Sequence, residues 1–485
     1  MFFGKDPRMR RTQGGEDGGA VTAPARTGPG IVRNGNTPSR EWITRGPVWR
    51  AVSALAAPML VSALLQNAQS LIDLFWVGRL GPVSVAAVSM SATVLMLLNP
   101  MIMGLSTGTV ALVARAVGAR RAADASAAAG QSLFLSMVIG LMSAVAGWFF
   151  AEPALHLLGA EPDVVVPGAA YLRICMAGSF TVYLLFIGNA ALQGAGDTHT
   201  PMLVMVLSNV LNILLDPLLI FGVGPFPRLG VAGAALATVA AQAVAAAVVV
   251  RLLMQGRSGI HAHVRMWRPD LGLAWRILRI GIPGSGQMLS RSLMSLVLMG
   301  IVAACGTAAV AAYGIGLRFH IIILMPAFAL GSAAATLMGQ NLGAGLPDRA
   351  RHAVWTAAWM DAVNMVASGL ALMALAEPLV RLFSADREVI DIGVRYLRVV
   401  SPFYIFAGFG IILGRGLNGA GDTLGPMVIT ILTLWGLQVP LAVYLSRTLV
   451  PPTDGIWWAM NAAFILQAML TIAWFRTGRW RRARV

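Results

Sequence analysis

The sequence predicts an all-α polytopic membrane protein with twelve transmembrane helices, arranged as two six-helix lobes related by a pseudo-two-fold axis along the membrane normal. Three observations support this fold class. The chain is 57% hydrophobic, with a mean hydropathy of +0.73 and 12% charged residues, about half the charged content of a typical soluble domain. Its apolar residues are grouped in segments long enough to cross a bilayer as helices. The second half of the sequence repeats the first.

Twelve apolar segments follow a polar N-terminal stretch. Each has at least the roughly 20 residues that a helix needs to cross the hydrocarbon core of a bilayer. Because their number is even, both termini are expected on one side of the membrane. The predicted spans are 50–77, 83–112, 126–150, 164–190, 200–222, 230–254, 275–302, 308–338, 352–376, 390–414, 425–447 and 455–475.

The distribution of arginine predicts the orientation of the chain. Arginine clusters follow spans 2, 6 and 12 and precede span 9, whereas the loops on the other side hold more Asp and Glu. Cytoplasmic loops carry the excess of positive charge, so both termini are predicted to be cytoplasmic. The net charge of +16 arises in these loops and tails, and it does not indicate nucleic-acid binding.

The composition also predicts the domain boundaries. Residues 1–45 are rich in Gly, Pro, Arg and Thr, have no apolar run, and are predicted to be a disordered cytoplasmic tail. The remaining predicted units are an N-terminal six-helix lobe (46–254), a basic cytoplasmic linker (255–270), a C-terminal six-helix lobe (271–475) and a basic cytoplasmic tail (476–485).

An internal duplication relates the two halves without a gap. The sequence Gly-Ala-Gly-Asp-Thr at 194–198 recurs at 419–423, and the same separation pairs Pro58 with Pro283. We call this constant pairing the repeat register. Each copy contains six spans, so both enter the membrane in the same direction, and a central cleft is expected between the lobes.

The repeated Gly-Ala-Gly-Asp-Thr sequences are predicted to form turns. They lack the lysine of a phosphate-binding loop. They are interpreted as structural turns in which Asp197 and Asp422 cap the helices that follow.

A polar stripe interrupts span 5. Asn209, Asn212 and Asp216 are spaced i, i+3, i+7, so on a helix they share one face. Asp73 lies late in span 1, as Asp216 does in span 5. Both spans begin on the same side of the membrane, so the two carboxylates are expected at a similar depth, where they share one pocket. A carboxylate at membrane depth usually faces a cavity or a partner.

The duplication indicates that this polar group has a task other than folding. In the repeat register, leucine occupies the positions of the second lobe that correspond to Asp73 and to the three residues of the stripe: Leu298, Leu434, Leu437 and Leu441. The duplicated frame therefore does not need the polar groups. The alternative interpretation is a buried hydrogen-bonded cluster that only ties spans 1 and 5 together.

With these features the sequence resembles the MATE (multidrug and toxic compound extrusion) transporters, and within them the DinF-like branch, over about residues 45–475. The resemblance implies an antiporter that exports amphipathic or cationic organic compounds and drugs by alternating access. Transport would be coupled to a cation, chiefly a proton. No cofactor is expected beyond H⁺ or Na⁺ as the coupling ion. The residues that carry it are Leu71-Ile72-Asp73 ahead of Val77-Gly78 and Gly81, the paired turns, and the stripe from Asn209 to Pro217.

The resemblance also implies which residues act. Asp73, Asn212 and Asp216, with Thr238 in span 6, are expected to form the coupling site. Neighbouring buried carboxyl groups favour proton exchange near neutral pH, so protonation is our hypothesis; Na⁺ at Asp73 and Asp216 is the alternative, because oxygen ligands suit hard cations. Four polar residues are predicted to line the substrate cavity: Asn189, Asn209, Gln66 and Gln287.

Three further charges lie in the C-terminal spans: Arg291, Arg318 and Asp361. One interpretation is mutual pairing or snorkelling towards a membrane face. The other is a second polar site for substrate or gating.

Functions other than drug transport fit the sequence less well. A lipid-linked oligosaccharide or lipid flippase of the same superfamily would be expected to have a strongly cationic cavity, and here Arg291 and Arg318 are the candidates to face one. An enzyme or a channel is not indicated, because no clustered nucleophile, metal-ligand set or charge ring is visible. The predicted partners are small organic substrates and the lipid bilayer. Nucleic-acid binding is not predicted, and the protein is expected to be a monomer.

Overall fold

The computed structural model describes residues 41–263 and 268–483, and these residues fold almost entirely into α-helices. A short helix, α1 (Glu41–Arg45), precedes the first lobe. The helices of the first lobe are α2 (Val48–Gly78), α3 (Pro82–Leu95), α4 (Asn99–Gly118), α5 (Ala122–Leu157), α6 (Pro162–Ala177), α7 (Ser179–Gly194), α8 (His199–Phe221) and α9 (Val231–Met254).

The second lobe follows the same order. Its helices are α10 (Leu271–Ala303), α11 (Thr307–Gly343), α12 (Pro347–Ala374), α13 (Ala376–Arg381), α14 (Arg387–Val400), α15 (Tyr404–Gly419), α16 (Leu424–Ile431), α17 (Val439–Thr448) and α18 (Pro452–Arg476). A π-helical segment, Leu432–Gln438, joins α16 to α17 within one span.

The described residues contain the twelve predicted spans. Eleven are helices, or continuous helical stretches, that are long and apolar enough to cross a membrane. The twelfth is the pair α6 and α7, which are bent by 45° around Gly178. The second span is also irregular, because the 3₁₀ turn Met96–Leu98 and Pro100 separate α3 from α4. The predicted fold class is therefore confirmed.

The duplication is visible in the backbone. The second span of the first lobe runs from Pro82 to Gly118 and that of the second lobe from Thr307 to Gly343, so both ends keep the repeat register. The glycines that precede these spans, Gly81 and Gly306, have φ of 105° and 110°. Side chains other than glycine rarely adopt such angles, so each repeat needs glycine at this turn.

We call the side of the protein on which the described terminal residues and the linker lie the terminal side. On this side the two lobes contact each other through small residues. A side chain at Gly104 of α4 would overlap with Gly281 and Ser285 of α10. In the same way, Gly118 of α4 lies directly against the Gln340 backbone of α11. Small residues allow close approach of membrane helices, so the lobes are joined tightly at this end.

The predicted boundary of the N-terminal tail at residue 45 is wrong. Residues 1–40 lie outside the described residues, but α1 is helical and Ile43 is only 1% exposed. Ile43 belongs to an apolar cluster with Leu337 and Val354 of the second lobe, and Arg349 donates hydrogen bonds to the carbonyls of Ile43 and Gly46. The sequence missed this contact because one isoleucine in a polar stretch has no periodic pattern.

The segment after span 12 also packs onto the protein. Trp480 is 1% exposed, stacks on Phe475 at 5.3 Å between ring centroids, and donates its indole N–H to the Phe475 carbonyl at 2.8 Å. Arg115 of the first lobe donates to the Ala483 carbonyl at 2.9 Å. This end of the chain therefore contributes to the junction of the two lobes on the terminal side.

Candidate coupling site and central cavity

The polar stripe of span 5 lies on a buried face of α8. Asn209, Asn212 and Asp216 are 5%, 0% and 0% exposed. Because α8 is a continuous helix, their spacing brings all three to the face that contacts α2 and α9. Asp73 lies near the end of α2, as Asp216 does near the end of α8, so both carboxylates are distant from the terminal side.

Four predicted coupling residues come together from three helices. The Asn212 amide nitrogen donates to Asp216 Oδ1 and to Thr238 Oγ1, each at 3.3 Å. Thr238 in turn donates to the Ala234 carbonyl at 3.0 Å. Asp73 contacts the side chains of both Asp216 and Asn212. The structure thus brings the four residues into one cluster inside the first lobe.

Several oxygen atoms of this cluster have no hydrogen-bond partner. They are Asp73 Oδ1, Asn212 Oδ1 and Asp216 Oδ2, and all three are buried. A buried polar atom without a partner costs about 1–3 kcal/mol. Converging carboxylate, amide and hydroxyl oxygens form a ligand set that suits a proton shared between the carboxyl groups or a hard cation such as Na⁺.

Helix α6 adds two residues that sequence reasoning missed. Tyr171, 9% exposed, and Cys175 both lie close to Asp73. Their positions carried no signal in the sequence. Tyr171 has a tyrosine, Tyr396, at the same place in the other repeat, and Cys175 is an ordinary residue for an apolar segment.

A cavity lies between the two lobes, with a volume of about 250 Å³. Of the four predicted lining residues, Gln66 and Asn189 lie on its wall, and Gln287 lies in a smaller pocket that shares several lining residues with it. Asn209 is placed elsewhere, and its prediction as a lining residue is wrong. Its amide donates to the Leu65 carbonyl at 2.9 Å, which ties α8 to α2.

The second lobe contributes positive charge to this cavity. Arg415 of α15 lines both the central cavity and the smaller pocket, and Arg291 of α10 lines the smaller pocket. Gln287 is held there by hydrogen bonds with Thr430 at 3.1 Å and Asn418 at 3.4 Å. Sequence reasoning missed Arg415, which follows directly on the predicted end of span 10; a cation among the glycines of 408–419 was the available signal.

Arg318 and Asp361, the other two charges predicted in the C-terminal spans, lie apart from the cavity. Arg318 is exposed, with its guanidinium over the ring of Phe383 at 5.4 Å, as expected for a snorkelling side chain. Asp361 is 0% exposed and lies against Gly408 of α15. Within the described part of the chain, neither Arg291 nor Arg318 forms an ion pair with Asp361. The predicted mutual pairing of these three charges is therefore not observed.

The paired Gly-Ala-Gly-Asp-Thr turns are structural, as predicted. Asp197 accepts a hydrogen bond from the backbone N–H of Thr200 at 3.0 Å, at the start of α8. Asp422 accepts the equivalent bond from Gly425 at 3.3 Å, at the start of α16, and another from the Trp474 indole at 2.8 Å. Each carboxylate satisfies a backbone donor in the first turn of a helix.

Two six-helix lobes around a shared cavity, with a buried carboxylate cluster in one of them, define a membrane transporter and not an enzyme. A family model described as MatE matches residues 58–218 and 283–444, about two thirds of the chain. The chain belongs to the MatE family, and the two matched segments correspond to the two repeats.

Individual relatives agree with this family. A Bacillus subtilis protein named probable multidrug resistance protein YoeA is 30% identical over 88% of this chain and 94% of its own length. A Shewanella oneidensis protein named FAD transporter is 31% identical over 83% of this chain and 89% of its own. A solved structure of a multidrug resistance MATE family transporter, described as outward-facing, has a TM-score of 0.85 at 26% identity, covering 92% of this chain and 100% of that one.

Proposed function

We propose that this transporter exports amphipathic organic compounds in exchange for a cation that binds at the cluster of Asp73, Asn212, Asp216 and Thr238. The observation that carries the proposal is this cluster, whose buried oxygen atoms lack partners. In the sequence of the second repeat, leucine stands at the positions that correspond to Asp73 and Asn212. The names of the relatives support efflux of drugs and related compounds.

The coupling ion is a proton in this proposal. Two carboxyl groups in contact share a proton more readily than they hold two negative charges in a medium of low dielectric constant. Proton binding from one side and release to the other then accompanies alternating access of the central cavity. The lobes contact each other on the terminal side, which we place in the cytoplasm of a bacterial inner membrane because the arginine-rich loops lie there. We therefore propose that the protein is in an outward-facing state. We also propose that it acts as a monomer and belongs to the DinF-like branch.

Drug susceptibility tests the role of the cluster. An efflux-deficient bacterial host would express the wild type, Asp73→Asn or Asp216→Asn at matched membrane levels. We expect the wild type to raise resistance and both variants to lose it, since each removes a proton-binding carboxyl group. Asp361→Asn is the matched control, because Asp361 is also a buried carboxylate of a span but lies outside the cluster. Equal resistance from all variants would contradict the proposal.

Ion gradients imposed separately on proteoliposomes identify the coupling ion. We expect transport to follow a pH gradient in Na⁺-free buffer and to be insensitive to a Na⁺ gradient at fixed pH. Dependence on Na⁺ alone would replace the proton by Na⁺ at the same residues. A lipid or oligosaccharide flippase is not favoured by the names of the relatives, and absence of resistance with every compound tested would favour it.

A further inference from the structure

Two like charges face the space between the lobes. Arg291 and Arg415 line the same pocket, and they lie close enough for their charges to repel each other. Among the described residues, neither forms an ion pair, and the arginines that do pair with carboxylates are elsewhere, such as Arg395 with Asp454. Charged side chains at membrane depth are costly and normally have a partner. Two unpaired cations therefore point to an anion that enters the cavity.

Arg415 is held in position by α11. Its aliphatic stem packs against Gly331, its guanidinium lies over the ring of Phe328 at 5.4 Å, and Nη1 donates to Ser332 Oγ at 3.2 Å. A neutral hydroxyl partner orients the guanidinium without neutralising it. The remaining N–H groups are available to a carboxylate or phosphate, whose geometry the planar guanidinium matches.

The duplicated frame does not need these charges. In the repeat register, Gln66 corresponds to Arg291 and Ala190 to Arg415. Gln66 and Ala190 line the central cavity from the first lobe. Equivalent positions thus face the space between the lobes in both repeats, but among the residues that the structure describes only the second lobe places cations there. Folding of a six-helix lobe cannot be the reason for the charge.

Another part of the cavity wall consists of apolar, adaptable side chains. Met59, Met103, Met205 and Phe186 line it from the first lobe, and Phe328 lines it from the second. Methionine adjusts to ligands of varied shape, and aromatic rings stack on planar groups. A ligand with an apolar or aromatic body and an anionic end would satisfy both parts of the wall.

We propose that the cavity selects amphipathic organic anions, with a phosphate or carboxylate held by Arg291 and Arg415 and an apolar body against the Met and Phe side chains. This inference rests on the proposed transport function and narrows its substrate class. It excludes the cationic compounds that the family resemblance led us to expect as substrates, because the two guanidinium groups would repel a cation.

Equilibrium binding of three flavins to the purified protein tests the proposal. Riboflavin, FMN and FAD share one aromatic ring system and differ in phosphate charge, and flavin fluorescence anisotropy reports binding of each. We expect FMN and FAD to bind at least about tenfold more tightly than riboflavin, the effect of one charge-assisted hydrogen-bonded contact. Arg291→Gln and Arg415→Gln should each remove this preference, and Arg415→Lys should keep part of it.

Arg318→Gln is the matched control, since Arg318 is an arginine of the same lobe that lies over Phe383 away from the cavity. It should bind FMN as the wild type does. Retention of phosphate preference in the folded Arg291→Gln/Arg415→Gln double variant, or equal affinity of the wild type for riboflavin and FMN, would overturn the proposal. Thermal stability of each variant verifies that it is folded.

A phosphate could also belong to a lipid headgroup. Short-chain phosphatidic acid is therefore added as a competitor: displacement of FMN, or direct binding that depends on Arg415, supports the same anion site with a lipid-borne occupant. If neither the flavins nor phosphatidic acid bind, the anion site is rejected. Proteoliposomes with a pH gradient separate this result from the proposed function. If cationic ethidium is transported and FMN is not, the anion proposal alone is overturned. If neither compound is transported under any ion gradient, the proposed transport function is contradicted.

Discussion

At the scale of single residues, Asn212 joins the parts of the carboxylate cluster. It is 0% exposed, and its one amide nitrogen donates to both Asp216 and Thr238. A buried carboxylate needs such donors to remain stable when charged. In the proposed coupling site, Asn212 therefore acts on ion binding through Asp216, whereas Asn209 on the same face bonds to the Leu65 carbonyl and serves packing between helices.

Replacing Asn212 by leucine separates these roles. Asn212 donates its hydrogen bonds to Asp216 and Thr238 within the cluster and not to the backbone of another helix, so we expect Asn212→Leu to fold with little change in thermal stability. Loss of a hydrogen bond to a charged group costs about 1.5–3 kcal/mol, so proton-driven transport should fall at least tenfold. The matched change Asn209→Leu should lower the melting temperature while preserving the ion dependence of transport. Identical behaviour of the two variants would contradict this division.

Asp361 is the buried carboxylate to which the proposed mechanism assigns no task. It lies against Gly408 and outside the described cavity walls. We expect Asp361→Asn to keep transport within about twofold of the wild type and to leave the melting temperature equal or higher, because it removes a buried carboxyl group whose oxygens have no hydrogen-bond partner. Rates measured at several pH values in proteoliposomes verify this. A strong loss of transport in a stable variant would instead indicate a second ionisable site for coupling or gating.

At the scale of helices, the contact between α4 and α10 holds the lobes together on the terminal side. Gly104 of α4 and Gly281 of α10 face each other, and each has the backbone of the other helix within contact distance. Dispersion forces between closely packed backbones are the main attraction between membrane helices. This contact must open if the cavity is to be reached from the terminal side, so its strength sets the balance between conformations.

Adding one methyl group to this contact changes that balance. In Gly104→Ala the new Cβ would overlap with Ser285 Oγ and the Gly281 carbonyl. Overpacking of this kind costs about 1–3 kcal/mol, so we expect a lower melting temperature and a slower transport cycle. Gly300→Ala in α10 is the control, since a Cβ there meets no atom within 4 Å. Spin-label distances across the terminal side would show whether the contact has opened; unchanged distances and stability would contradict the prediction.

The helices also limit the comparison between repeats. Whereas α8 is continuous, the matching span contains the π-helical segment Leu432–Gln438, in which Trp435 donates to Ser290 Oγ at 2.8 Å. A π-helical turn holds more residues than an α-helical turn. Beyond it, residues such as Leu441 no longer face the same way as their counterparts in α8. The repeat register pairs these positions in the sequence but not in space.

At the scale of the whole molecule, the two lobes carry opposite charge at different places. The first lobe holds Asp73 and Asp216 far from the terminal side, and the second presents Arg291 and Arg415 to the smaller pocket that adjoins the central cavity. Our two proposals thereby assign cation binding and substrate binding to separate sites, each in one lobe. Coupling between them must act through the relative position of the lobes, which both sites can bias.

This separation predicts that transport moves charge across the membrane. If one proton enters while an FMN dianion leaves, the exchange moves three positive elementary charges inward. Exchange of one proton for neutral riboflavin moves one. The membrane potential contributes about 2.3 kcal/mol per elementary charge per 100 mV. We therefore expect an inside-negative potential, imposed with K⁺ and valinomycin at constant pH, to stimulate FMN export more strongly than riboflavin export. Insensitivity of FMN export to the potential would contradict the charge balance proposed here.

The sequence by itself determined the all-α membrane fold, the twelve spans, the duplication and the pairing of Asp73 with the stripe that holds Asn212 and Asp216. Thr238 was implied by the family resemblance. Span length, repeat register and helical spacing are local properties, and the bilayer leaves few alternatives for an apolar segment. Only the tertiary structure decided that Asn209 bonds to α2 instead of lining the cavity, that Ile43 and Trp480 pack on the second lobe, and that Arg415 instead of Arg318 lines the central cavity. These depend on helix rotation and on contacts between distant segments, for which neither hydropathy nor spacing carries information.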